Sequence, residues 1–137
     1  MDRKVNCIML VDDSPDDNFF HERIIRKTNA SDIVVIKETG DRAIEYLIST
    51  RNNANPLPDL IFLDINMPGM NGWEFLEEFE KLEEELQSKM IVVMLTTSVN
   101  PEDEAKARNS KWLADFKTKP LTREIIEDVL ERFHSSS

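Results

Sequence analysis

The chain has 137 residues, of which 40% are hydrophobic and 32% charged, with a formal net charge of −10. That length suits one domain around one core, with residues 5–133 as its extent, and compact apolar runs between polar stretches exclude a disordered chain. The acidic balance disfavours direct binding to DNA or RNA, and the single cysteine, Cys7, excludes an internal disulfide framework or a cysteine-rich zinc site.

Val5–Val11 (VNCIMLV) is apolar at almost every position and predicts a strand buried on both faces. What precedes it is too short and polar for a secretory leader, and no later stretch approaches the ~18 apolar residues of a membrane span, so the expected location is cytoplasmic. Asp12 and Asp13 follow this strand. Phe19, Phe20, Ile24 and Ile25 mark a first amphipathic helix. Ile33–Ile36 (IVVI) predicts a second strand, and Ala43, Ile44, Leu47 and Ile48 a second helix. Leu60–Leu63 (LIFL) predicts a third strand ending at Asp64. Phe75, Leu76, Phe79, Leu82 and Leu86 recur every three or four residues and predict a third helix, with the glutamates of Glu74–Glu85 on its solvated face.

Met90–Leu95 (MIVVML) predicts a fourth strand, followed by Thr96, Thr97 and Ser98. A fourth helix is expected over Pro101–Asn109. Asn100 suits its N-cap, Pro101 its first position, and Glu102 and Asp103 the positive end of its dipole. Leu113–Phe116 (LADF) is the weakest strand signal; Lys119 and Pro120 lie beyond it. Ile125, Ile126, Val129, Leu130 and Phe133 mark the last helix, and residues 134–137 read as a frayed end.

Strict alternation of strands and helices predicts an α/β fold: a parallel sheet with right-handed crossovers and helices on both faces. Ligands of such sheets bind beyond the carboxyl ends of the strands. Asp12, Asp13, Asp64, Thr96 and Lys119 all fall there. Singly, each has an ordinary reading as a cap, a turn, a packed hydroxyl or a surface lysine. Together they make three carboxylates, a hydroxyl and an ammonium at one edge. Two carboxylates ~4 Å apart repel by roughly 4 kcal/mol at an effective dielectric of 20, so such a cluster calls for a cation. A hard cation such as Mg²⁺ meets that need and also binds phosphate. A carboxylate nucleophile with a cation, a lysine and a hydroxyl around it is the inventory of phosphoryl transfer to an aspartate.

Four segments carry a family resemblance: VDDS at Val11–Ser14, LDINMPGMNG at Leu63–Gly72, MLTTS at Met94–Ser98 and KTKP at Lys117–Pro120. In that order and at strand ends, they resemble the receiver domain of two-component response regulators, particularly the stand-alone, chemotaxis-regulator type. The similarity spans Val5 to Phe133. It implies a doubly wound five-stranded parallel sheet of the flavodoxin-like (βα)5 kind, with strand order 2-1-3-4-5. It also implies that Asp64 is the phosphoacceptor and that Mg²⁺ is held by Asp12, Asp13, Asp64 and the backbone carbonyl of Asn66, with Asp13 a direct ligand. Thr96 takes the place of the switch hydroxyl, Phe116 that of the switch aromatic, and Lys119 that of the phosphoryl-binding lysine. The Lys119–Pro120 bond is expected to be cis. Asn66 and Ser98 stand where side chains influence the lifetime of the acyl phosphate.

The implied partners are a sensor histidine kinase or phosphotransfer protein and, since no effector segment follows Phe133, a downstream target protein or a second copy of the chain. The fourth helix, fifth strand and fifth helix form the face expected to switch. Two departures from the family pattern stand out: Thr97 where a small residue is common, and no glycine before the fifth strand, where Asn109-Ser110-Lys111-Trp112 runs instead. Trp73 and Trp112 read as packed aromatics that also suit an interface, and His21 and His134 as bland helix-surface residues. Two other functions remain open: a Mg²⁺-dependent phosphohydrolase, whose nucleophile belongs after the first strand, and a degenerate receiver used only for binding. No glycine-rich nucleotide loop occurs.

Overall fold

In the computed structural model, which describes residues 4–50, 55–82, 84–87, 90–97 and 100–135, five parallel strands form one sheet. They are β1 (Val5–Val11), β2 (Ser31–Lys37), β3 (Leu60–Asp64), β4 (Ile91–Thr96) and β5 (Leu113–Thr118), in the order β2-β1-β3-β4-β5. Between and after them come α1 (Pro15–Lys27), α2 (Gly40–Ser49), α3 (Gly72–Glu80), the short α4 (Glu84–Gln87), α5 (Pro101–Asn109) and α6 (Arg123–Ser135). The expected doubly wound architecture and strand order are therefore present.

The pleat explains why the central strands are apolar throughout. Successive side chains point to opposite faces. Met9 and Val11 of β1, Ile61 and Leu63 of β3, and Val92 and Met94 of β4 pack with Ala43 and Leu47 of α2 and Phe75 and Phe79 of α3. Their neighbours Ile8, Leu10, Leu60, Phe62, Val93 and Leu95 pack on the other side with Ile25 of α1 and Ile126, Val129 and Leu130 of α6. The edge strands are less covered: Ile33 of β2 is exposed. In β5 the register to β4 steps from Val92↔Leu113 to Val93↔Asp115, leaving Ala114 as an extra residue. That bulge is why LADF lacks a clean strand pattern. Lys117 and Arg132 both pair with Asp115 and Asp128, tying β5 to α6.

Two expectations are corrected. The apolar residues of the first helix do not define its buried side. Phe19 and Phe20 are 60% and 61% exposed, edge-to-face with each other, while Asn18, His21 and Ile25 are buried. Polar anchors set this rotation: Asn18 Nδ2 donates to the Asp12 carbonyl at 2.8 Å, and the Leu121 N–H approaches His21 Nε2 at 3.5 Å. The predicted third helix is two segments. α3 stops at Glu80, and the buried Gln87 side chain donates back to the carbonyls of Phe79, Glu80 and Leu82 around the end of the helix. The side chain of Leu86, expected in that apolar stripe, lies outside the described residues, as do those of Phe133 and His134. Glu74 is exposed, as expected, and also closes a capping box with Asn71 at the start of α3.

The missing glycine before β5 has a simple account: α5 ends at Ser110 in extended conformation, φ −82° and ψ 126°, which any residue adopts. Gly72 is different. A Cβ there would lie 2.8 Å from the Asp64 carbonyl oxygen and 2.9 Å from Ile65 Cα, both backbone atoms that cannot swing away. Gly72→Ala is therefore expected to destabilise the chain by about 1–3 kcal/mol through overpacking, read as a lower urea midpoint with unchanged slope.

Candidate functional site

β1 delivers Asp12 to the carboxyl edge of the sheet, where its N–H still bonds to the Lys37 carbonyl at 3.1 Å. Ser14 then caps α1, its Oγ accepting from the Asp17 N–H at 3.2 Å, and its own N–H donates to Asp12 Oδ1 at 3.0 Å. The helix start thus orients the buried carboxylate, while Asp13 beside it stays exposed. β3 delivers Asp64 as its last residue, 7% exposed. The chain turns away through Gly69 at φ +76° and returns so that Gly72 N–H reaches the Ile65 carbonyl at 2.8 Å. β4 ends at the buried Thr96, and Lys119 N–H donates to the Thr96 carbonyl at 2.7 Å, which sets the lysine beside the end of β4. The Lys119–Pro120 bond is cis.

One ligand oxygen from each of Asp12, Asp13 and Asp64 lies within 4.8 Å of the others. Lys119 Nζ enters this group, 2.6 Å from Asp12 Oδ2, 2.8 Å from Asp17 Oδ2 and 3.4 Å from Asp64 Oδ1. Burial, then the Asp12 charge, push the Asp64 carboxyl up to about 6, although Lys119 pulls the other way. Burial works against the charged form of Lys119, but hydrogen bonds to Asp12 and Asp17 outweigh it and hold the ammonium protonated well above its ordinary range. These are the strains of an acidic cluster short of positive charge. An all-oxygen donor set of this spacing, with one carboxylate held back from ionising, fits a hard divalent cation of the Mg²⁺ kind.

The structure brings Asp12, Asp13, Asp64 and Lys119 together and sets Thr96 on the adjacent strand end. Asn66 is exposed in the loop two residues after Asp64. Phe116 lies half-buried in β5 opposite Met94 and packs toward the α2–α3 layer. Ser98 lies outside the described residues. Trp73 and Trp112 are partly buried; Trp73 Nε1 donates to Asp103 of α5 at 3.0 Å, and Trp112 meets Phe79 edge-on. His21, expected on the surface, is buried, and burial followed by the Lys119 charge lowers its pKa. Asp17 was missed as a site residue. Its signal was the cap: with Ser14 as N-cap, the third helical residue faces back toward the strand ends.

The sequence profile described as "Response regulator receiver domain" matches residues 8–131. A two component response regulator from Cytophaga hutchinsonii superposes with a TM-score of 0.89 at 33% identity, covering 96% of this chain and 98% of that one. The nitrate/nitrite response regulator protein NarL of Escherichia coli K12 is 33% identical over 95% of this chain. Hybrid signal transduction histidine kinase C of Dictyostelium discoideum is 28% identical over 92% of it. The chain spans 54% of the length of NarL and 10% of that kinase.

An aspartate whose folded pKa of about 6 exceeds its unfolded value of ~3.9 keeps its proton in the folded state through that window. Stability therefore falls as pH rises from about 4 to 6, and the full penalty of ionised Asp64 is present above that range. Without divalent cation, Asp64→Asn is expected to melt about 3–8 °C above wild type at neutral pH. The gap should narrow as pH drops to about 4; differential scanning calorimetry across that range checks it.

Proposed function

Because this chain belongs to the response regulator receiver domain family, we propose that it is a phosphoacceptor switch carrying its phosphoryl group on Asp64. Receiver domains are phosphoacceptor switches that work with histidine kinases or phosphotransfer proteins. The observation that supports the assignment is the meeting of Lys119 with Asp12 and Asp64 inside a cluster of three carboxylates. The aspartate-nucleophile hydrolase alternative needs its nucleophile after β1 in a D-x-D arrangement, whereas Asp12 and Asp13 are adjacent there and Asp64 ends β3.

In this reading an Asp64 carboxylate oxygen attacks the phosphorus of a phosphohistidine or of a small acyl phosphate. The new P–O bond forms as the bond to the leaving group breaks, and that group departs with the electron pair. Asp12, Asp13, Asp64 and the Asn66 carbonyl would hold Mg²⁺. When bound, Mg²⁺ neutralises charge on the transferring oxygens. Lys119 pairs with one phosphoryl oxygen and the Thr96 hydroxyl with another. The acyl phosphate so formed is open to attack by water, so the signal decays by autodephosphorylation.

The output is a shift between two states. Phosphoryl oxygens draw Thr96 inward, and Phe116, half-buried on the next strand, follows into the space. α5, β5 and α6 then present a different face to a target protein or to a second copy of the chain. The carboxylate cluster and acidic net charge match no direct nucleic-acid role.

Incubation with acetyl phosphate and Mg²⁺ is expected to add the mass of one phosphoryl group to the intact protein and none to Asp64→Asn; uptake by the variant at the wild-type rate would end the assignment. Thr96→Ala should still take up the group but lose most of the fluorescence change produced by beryllofluoride and Mg²⁺. Trp73, bonded to Asp103 of α5, and Trp112, just before β5, both contribute to that signal. An undiminished response would remove Thr96 from the switch.

A further inference from the structure

Lys119 has one more anionic partner than phosphoryl binding requires. Besides Asp12 at 2.6 Å and Asp64 at 3.4 Å, its Nζ donates to Asp17 Oδ2 at 2.8 Å. Asp17 is the third residue of α1, fixed through its N–H to the Ser14 cap. It is not among the carboxylates whose ligand atoms cluster within 4.8 Å, and its side chain is 38% exposed against 9% for that of Lys119.

Asp12 has both oxygens engaged: Oδ1 accepts from Ser14 N–H and Oδ2 from Lys119. An Asp12 that ligates a divalent cation must share or surrender the contact to the ammonium, because two cations at one carboxylate repel. The displaced ammonium cannot be left without a counter-charge in a buried setting. Yet it must stay near enough to return to Asp64 once phosphoryl oxygens are there. A carboxylate already in contact, outside the ligand group and partly in water, meets both requirements.

We propose that Asp17 is a positioning residue that receives the Lys119 ammonium when Asp12 turns to the cation. Asp17 lets metal binding and lysine retention coexist, and it acts through Lys119 rather than by touching the metal. The proposal rests on the Mg²⁺-dependent reading above, and the test separates the two.

Mg²⁺ alone is titrated into wild type, Asp17→Asn, Lys119→Met and the double variant by isothermal titration calorimetry, with circular dichroism confirming that each is folded. Asp17→Asn is expected to bind Mg²⁺ about five-fold more weakly than wild type, and Asp17→Glu to recover most of that loss. With Lys119 already replaced, Asp17→Asn should change the affinity by less than about two-fold, because no ammonium is left to receive. An Asp17→Asn variant that binds as wild type overturns the proposal while leaving the phosphoacceptor reading intact. An equal loss with and without Lys119 also overturns it, since Asp17 would then act only as one more negative charge. Wild type that binds no Mg²⁺ overturns both.

Discussion

The site depends on one buried ammonium among carboxylates. Lys119 Nζ touches Asp12 and Asp17 and stands near Asp64. Without it the clustered acids would repel one another, and Asp12 and Asp64 are buried where water screens them only in part. Its charge balances only part of theirs, and the imbalance is visible in Asp64, whose carboxyl resists ionisation. A site held in that condition favours whatever brings positive charge. The same deficit that makes the resting cluster uneasy makes it receptive to a divalent cation.

The scaffold makes this tension tolerable. Asp12 follows β1 and Asp64 ends β3, adjacent strands whose side chains are packed on both faces of the sheet, so their backbones are fixed by a core rather than by the site itself. Ser14 and Asn18 bond to Asp12 from α1, and Gly72 lets α3 start against the end of β3. Lys119 is placed through its backbone bond to Thr96. Each candidate side chain is therefore set by elements that also build the fold; the hydroxyl ends β4 and the lysine follows β5, the two strands nearest the face proposed to move.

Where the pattern of apolar residues misled, a polar side chain had taken over. Phe19 and Phe20 mark α1 as helical but not its buried side, because Asn18 and His21 have bonding partners inside that hydrophobicity does not register. The stripe from Phe75 to Leu86 suggests one helix, but the amide of Gln87 turns back onto the carbonyls at the end of α3. β5 was faint because a bulge breaks its alternation at Ala114. In each case a single long-range or non-repeating contact overrode a periodic signal.

The order of strands and helices, and the placement of Asp12, Asp13, Asp64, Thr96 and Lys119 at strand ends, were legible from the linear chain. Buried strands and capped helices leave local, periodic traces, and a parallel sheet sends every strand's carboxyl end to one edge. What only the tertiary structure decided was the partnership among those ends: that Lys119 reaches Asp12 before Asp64, that Asp17 shares it, and that His21 is buried rather than displayed. Such contacts join residues about a hundred positions apart. Their distances follow from how α1 and the end of β5 pack over the sheet, and no repeat or spacing within a segment encodes that.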